Sequence, residues 1–537
     1  MPYAFVLLLA CMPSATTVDT VVVCPREFQE SLTPWIAYRR QQGHEIAVIS
    51  NTGSADQIRA QVRQLGAGGS LRYLLLVGDA DPQLSTSVDV RRRSVATHHA
   101  RAEVNVRFGS EPEIATDNWY ADLNDDRIPE LAVGRLTADT AVELREMVRK
   151  ILAYENNDDF SRWRAQLHFV AGLGGFGPVN DALLEAMAKS VIAEGVPPSY
   201  SASMTYASWQ SPYCPDPRRF RNVAVERLSE GGLLWIYLGH GEERTLDRVR
   251  VPGGTFPILS CQDVPHVSCR HGAPIACFLS CYAGSFDQAQ DCLAEDMLRH
   301  SGGPVAVYCG SRVTMPYAMT VMAAELLDQF FSGRSETIGD VIVEAKRRMI
   351  QPAANGGQRA AIEAAASALN PTGATLEAER LEHLDLFNLL GDPLLRLPRL
   401  ETVALAVTAQ SGTGRTLAVT GRSTVDGTAA VELVPRRGRL AFAASRRRAF
   451  DPSELAQYDA IYAQANNQKF ATAQVKTQDG RFVAELALPS TAAGACEIRV
   501  FVEGQRACAA GATEVRIGEV VSPRVRAAQR PADDKRN

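Results

Sequence analysis

Over roughly the first four hundred residues, short uninterrupted apolar runs alternate with amphipathic stretches. After about residue 400 the pattern changes to strict apolar–polar alternation. The runs VDTVVVC (18–24), 45–50, 72–77, 131–133, 166–172, Leu233–Leu238, Pro274–Leu279 and 304–309 are of the kind buried in a parallel sheet. Between them, Arg26–Gln42 carries Phe28, Leu32, Trp35 and Ile36 on one face and closes at Gly43. Further helices are predicted over 54–66, 138–155 (with Thr137 and Asp139 near its start), 180–194, 316–332 and 337–350. This β-α-β succession predicts an α/β fold with a parallel sheet and right-handed crossovers. Residues 83–113 lack a period and read as an irregular excursion. Residues 198–220 are polar and aromatic and read as a loop on the substrate side. Residues 352–380 read as a mobile connection or loose helix, and LFNLLGDP ends the unit at Pro393. From 400, TVALAVTA, TLAVTG, AAVELVP, FVAELALP, EIRVFVEG and TEVRIGEV predict an all-β sandwich of immunoglobulin-like type. The expected domains are an α/β subdomain over 17–158, a second α/β subdomain over 159–398, the sandwich over 400–521 and a disordered polar tail over 522–537.

Composition narrows the function. A chain of 537 residues holds two to four domains and a large core. The net charge of −5, with Lys and Arg scattered rather than striped, argues against a nucleic-acid partner. Eleven cysteines over this length do not make a disulfide scaffold, although Cys496 and Cys508 form one candidate pair in an exported protein. YAFVLLLAC at 3–11 is like the core of a signal peptide, and Leu8-Leu9-Ala10-Cys11 like a lipobox, but no Lys or Arg precedes them. Residues 1–16 therefore read either as an atypical leader, which implies an extracytoplasmic or secreted protein, or as a misassigned start in a cytoplasmic one. No run is long enough for a transmembrane helix.

The candidate chemistry sits where two apolar runs stop. Leu233–Leu238 delivers His240 between Gly239 and Gly241, and Pro274–Leu279 delivers Cys281 after Ser280. In open α/β sheets, ligands and chemistry gather at the carboxyl ends of strands. A thiolate is a nucleophile, and a nearby imidazole can take its proton. His first and Cys forty-one residues later is also the order described for caspases. Gly241 lets backbone approach a substrate carbonyl, so the N–H groups of Gly241 and Cys281 could form an oxyanion hole. The competing reading is a buried structural cysteine and a satisfied strand-end histidine. Asp122, Asn124 and Asp126, with Glu130 beyond, offer oxygens either to Ca²⁺ or to an acidic turn; the loop lacks the glycine and terminal glutamate of an EF-hand. The loop Gly174-Gly175-Phe176-Gly177 lacks the features of a phosphate loop, and no zinc-ligand spacing is present.

Taken together, Gly239-His240-Gly241, Ser280-Cys281-Tyr282-Ala283-Gly284-Ser285-Phe286-Asp287, YLLLVGDAD (73–81), TDNWYADLNDDRIPELAVGRL (116–136), GGPVAVYCGSR (302–312) and LFNLLGDPLLRL (386–397) resemble the gingipain family of cysteine peptidases over roughly 18–398. The resemblance implies a caspase-like fold followed by an immunoglobulin-like module, bacterial origin and secretion. It also implies an endopeptidase acting on polypeptides, with Cys281 and His240 as the catalytic pair. No cofactor is required, and the acidic loop at 122–130 is where a structural Ca²⁺ is expected. Cleavage after basic residues would use an acidic pocket residue, for which Asp181 and Asp287 are the candidates; Asp181 reads more readily as a helix-start residue beside the helix dipole. One departure stands out. Where Arg-specific relatives place a His-orienting glutamate, this chain has Leu173. Leucine accepts no hydrogen bond, so His240 is expected to use a backbone carbonyl or a carboxylate from elsewhere; the site is read as a Cys–His dyad, and the alternative is an inactive peptidase-like scaffold serving in secretion or surface binding.

Overall fold

The computed structural model describes residues 18–80, 87–175, 177–353, 357–369, 375–409, 415–444 and 447–518. The candidate leader 1–16, the tail 522–537 and Phe176 lie outside them. The buried runs assemble into one ten-stranded sheet. Its strands are β1 (Thr20–Val23), β2 (Ile46–Ile49), β3 (Tyr73–Val77), β4 (Ala132–Leu136), β5 (Gln166–Ala171), β6 (Ser201–Tyr206), β7 (Leu234–Leu238), β8 (Ile275–Leu279), β9 (Ala306–Gly310) and β10 (Phe387–Leu390). They lie in the order β2-β1-β3-β4-β10-β9-β8-β7-β5-β6. Every neighbouring pair is parallel except β9–β10.

Within the LFNLLGDP segment, Phe387–Leu390 forms the last strand of this sheet in chain order. It pairs antiparallel with β9 and meets β4 at Leu390↔Arg135. The two expected subdomains become halves of one sheet whose strands run in opposite senses. The carboxyl ends of β5, β7 and β8 therefore open on one edge, and those of β1, β3 and β4 on the other. The turn after β10 is pinned by a buried ion pair. Arg39 lies 2.6 Å from Asp392 and 2.7 Å from Glu155, and Trp35 Nε1 donates to Asp392 at 2.5 Å.

Helices form where the apolar spacing places them. Gln29–Gln41 ends at Gly43, which takes φ +95. Ala55–Gly66 starts with a reciprocal Ser54/Gln57 capping box. Ala141–Glu155 is capped by Thr140 and Glu143, three residues beyond the expected Thr137. The excursion 83–113 contains the helix Val88–Arg93 and the strand His98–Arg101, which pairs with Glu113–Thr116. The expected loop 198–220 contains β6, an edge strand with little apolar sequence of its own. Residues 352–380 include the helix Gln358–Leu369 and the start of Leu376–Leu386.

The C-terminal module holds β11 (Glu401–Ala409), β12 (Thr416–Ser423), β13 (Gly427–Pro435), β14 (Ala471–Lys476), β15 (Arg481–Ala487), β16 (Gly494–Gly504) and β17 (Cys508–Ile517), in the order β14-β13-β16-β17-β11-β12-β15. β11 pairs with β17 through Glu401 and Thr402 and with β12 through Val403–Ala409, so one strand crosses between the two layers. The module is not purely β. The helix Leu455–Asn466, which no alternation signals, reaches across to β6. The Asn466 side chain accepts from Met204 N–H (2.7 Å) and donates to its carbonyl (3.0 Å), and Tyr462 meets Thr205 at 2.8 Å. This blocks an otherwise open sheet edge. The Cys496–Cys508 pairing does not form. Cys496 faces Val515 and Cys508 faces Glu503 in the same ladder, which puts the thiols about 23 Å apart along the strands. No helix among the described residues is long and apolar enough to cross a membrane.

Candidate active site

β7 and β8 are buried along their length and pair in parallel, with Leu238 opposite Leu279. Their carboxyl ends therefore present His240 and Cys281 side by side. Both side chains line one cleft of about 1330 Å³. Gly239 makes the bend possible: its φ is +154, and a Cβ there would lie 2.7 Å from the Tyr237 hydroxyl. Tyr237 in turn donates to the His240 carbonyl at 2.7 Å, which fixes the histidine backbone.

The imidazole finds its partner in the loop after β5. His240 Nε2–H donates to the Gly174 carbonyl at 2.5 Å. Gly175, at φ +69, turns that peptide toward the ring. A carbonyl only accepts, so Nε2 carries the proton and Nδ1 carries the lone pair. Leu173 supplies no carboxylate here, and the backbone beside it does the orienting instead.

The cysteine sits at a strained turn. Ala283 N–H bonds back to the Cys281 carbonyl at 2.7 Å across Tyr282, whose φ is +55. This γ-turn is rare for an L-residue with a bulky side chain. Tyr282 N–H donates to the Arg312 carbonyl (3.2 Å), and its hydroxyl donates to Glu111 (3.0 Å). The sulfur accepts the Thr314 N–H at 3.3 Å and has the Thr314 hydroxyl at 3.6 Å. Thr314 carries no motif, and sequence reasoning passed over it. Gly241 packs against the same turn: a Cβ there would meet the Cys281 carbonyl oxygen at 2.6 Å.

The remaining candidates separate. Asp181, in the first turn of the helix Pro178–Gly195, lines the cleft with Glu185 one turn on. Glu185 accepts from the Tyr206 hydroxyl at 3.2 Å and from Lys189 at 2.5 Å. Burial, with Glu185 and Asp181 nearby, raises the Tyr206 phenol well above its ordinary range. Asp287 does not face the cleft, which corrects its assignment to substrate binding. It is buried in a bidentate pair with Arg312 (2.6 and 2.8 Å) and lies 3.1 Å from His99. Although burial alone would raise its carboxyl, bonds from His99 and Arg312 hold it well below the usual range.

In the acidic loop, Asp122 accepts the backbone N–H groups of Asn124, Asp125 and Arg127. Asn124 and Asp126 accept those of Asp126 and Ile128, and Glu130 that of Leu123. Arg59 lies 3.4 Å from Asp122. The loop's side-chain oxygens thus serve its own amides, with a guanidinium alongside. A different acidic group lies near the carboxyl end of β3, where Asp79, Asp291 and Glu295 bring carboxylate oxygens within 4.8 Å of one another. Arg299 stands among them, 2.6 Å from Asp291 and 3.6 Å from Asp79. Burial pushes Asp79 up to about 6 and Glu295 well above the carboxylate range.

Comparison with known proteins places this geometry. Lys-gingipain of Porphyromonas gingivalis strain ATCC 33277 is 22% identical over 310 residues, which cover 55% of this chain and 16% of the relative. Lys-gingipain W83 is 25% identical over 313 residues, with the same coverage. The chain thus spans about 16% of the length of these relatives. The crystal structure of the Arg specific cysteine proteinase gingipain R superposes with a TM-score of 0.52 at 17% identity, covering 93% of this chain and 98% of that one. The complex of the P. gingivalis RgpB pro- and mature domains gives 0.52 at 16% identity, covering 93% and 99%. Residues 13–398 match the family model of Peptidase family C25, and the chain belongs to that family.

Proposed function

We propose that the chain is a cysteine endopeptidase in which Cys281 is the nucleophile and His240 the general acid–base. The observation that carries this reading is the shared cleft at the ends of β7 and β8, with the histidine tautomer set by the Gly174 carbonyl. His240 Nδ1 takes the thiol proton as the sulfur bonds to the scissile carbonyl carbon. The N–H groups of Gly241 and Cys281 receive the charge on oxygen. Collapse of the adduct breaks the C–N bond, and the imidazolium returns its proton to the departing amine, leaving a thioester. Nδ1 then deprotonates water, which attacks the thioester and releases the carboxylic acid and the thiol. Asp181 and Glu185 on the cleft wall support polypeptide substrates with a basic residue before the scissile bond. Action outside the cytoplasm belongs to the same reading. The inactive-scaffold reading rests on Leu173, and the Gly174 carbonyl answers it by supplying the acceptor that Leu173 lacks. An electrophilic peptide should label Cys281, and Cys281→Ala should abolish turnover with an unchanged melting temperature. Turnover by that variant, or an unlabelled Cys281 in the folded wild type, would reject the proposal.

A further inference from the structure

The segment 311–315 wraps the nucleophile, and each of its residues is anchored. The Ser311 hydroxyl donates to the Ala115 carbonyl, the Arg312 carbonyl accepts from Tyr282, and the Val313 carbonyl accepts from Asn105. Thr314 N–H points at Cys281 Sγ (3.3 Å), and the next amide, Met315 N–H, donates to His383 Nε2 at 3.1 Å. His383 is fully buried on the helix Leu376–Leu386. Its Nδ1–H donates to the Glu379 carbonyl at 2.8 Å, which leaves Nε2 as the acceptor. Burial lowers the ring to about 4, so it stays neutral and able to accept. The same helix holds the start of the next helix, Pro316–Phe331, through Glu379, whose carboxylate accepts Ala318 N–H at 3.1 Å. The helix is itself tied to the sheet's other half by Glu382, which accepts three successive amides from Glu103 to Asn105.

We infer that His383 is a positioning residue for the nucleophile: by accepting Met315 N–H it holds the 314–315 peptides so that Thr314 N–H stays aimed at the Cys281 sulfur. The inference rests on the reading of Cys281 as nucleophile, but its test reads the sulfur directly. Gln places an amide oxygen where Nε2 lies, and Leu fills the space without an acceptor. The rate of iodoacetamide labelling at Cys281, located by mass spectrometry, is measured for wild type, His383→Gln and His383→Leu, with kcat and KM on a peptide substrate and the melting temperature of each. Losing one amide donor to a charged sulfur predicts a fall of about tenfold in labelling rate and kcat for His383→Leu, with KM within about twofold. His383→Gln should recover most of both. A folded His383→Leu protein that labels at the wild-type rate, or equal losses in the Gln and Leu variants, would overturn the assignment. Should His383→Leu not fold, a folded His383→Gln protein that labels tenfold more slowly than wild type would overturn it as well. Because alkylation needs no turnover, an absence of peptidase activity would count against the function proposed above and leave this result standing.

Discussion

Replacing Gly241 with alanine tests how tightly the two reacting side chains are held. The backbone at 241 is not left-handed, so the new methyl acts through contact alone. Its Cβ would lie 2.6 Å from the Cys281 carbonyl oxygen and 2.9 Å from Ser280 Oγ. Ordinary contact begins at 3.4 Å and separations under 3.0 Å are essentially never found, so the oxygen must retreat by at least about 0.4 Å, and by about 0.8 Å to reach ordinary contact. It cannot slide freely, because it also accepts Ala283 N–H at 2.7 Å across the positive-φ turn at Tyr282. The displacement therefore passes to the ends of β7 and β8 and moves the sulfur relative to the imidazole. A misplacement near 1 Å costs on the order of 100-fold in rate, so Gly241→Ala should lose about 10- to 100-fold in kcat. Peptide hydrolysis would be normalised to Cys281 titrated by an irreversible thiol reagent, with circular dichroism to follow the fold. A fully titratable variant with kcat within twofold of wild type would refute the argument that this glycine is required for close approach to the nucleophile turn.

Asp392→Asn weakens the acceptor that Trp35 and the buried Arg39 share; Arg39 keeps Glu155, so a loss of up to about 3 kcal/mol is expected in urea unfolding. Asp122→Asn should lower the melting temperature in the presence of chelator, since the carboxylate accepts three backbone amides; a further, Ca²⁺-dependent loss would assign an ion to that loop, and no loss in chelator would refute the amide role. Burial raises Asp79 to about 6 and Glu295 well above the carboxylate range, so the folded form holds protons that the unfolded form releases; each contribution is greatest below the ordinary carboxylate pKa, that of Asp79 is lost as pH rises through about 6, and that of Glu295 goes on falling well above the ordinary carboxylate range. Glu295→Gln should flatten the decline in melting temperature between pH 5 and pH 7.5, and an unchanged slope would assign that decline elsewhere.

The strands that carry His240 and Cys281 are legible because their signal is local. LWIYL and IACFL are buried on both faces, so their composition alone marks them, and the residues after them mark the sheet edge. β6 was missed for the complementary reason. Its SASMTY pattern is that of an edge strand, and the helix that covers the edge comes more than 250 residues later. The fusion of the two halves also depends on a non-local partner. FNLL becomes a strand only once β9 and β4 stand on either side of it.

The same distinction separates the proposed nucleophile from what holds it. Cys281 and His240 can be found from a chain read in windows, because a reactive side chain after an apolar run is a contiguous feature. The groups that fix their geometry cannot be. The Gly174 carbonyl, the Thr314 N–H and the Met315 N–H are backbone atoms, which any residue type supplies. Leu173 leaves a backbone carbonyl or a distant carboxylate as the acceptor for His240, and only the folded loop shows that it is the Gly174 peptide. Asp287 misled in the opposite sense. An acid six residues past Cys281 invites a role in substrate recognition, but Arg312 and His99 arrive from separate segments to bury it. An exposed carboxylate in a cleft and a carboxylate neutralised in a core have the same letter in sequence. They differ only in whether desolvation has been matched by a cation, and that depends on contacts which the local pattern does not record.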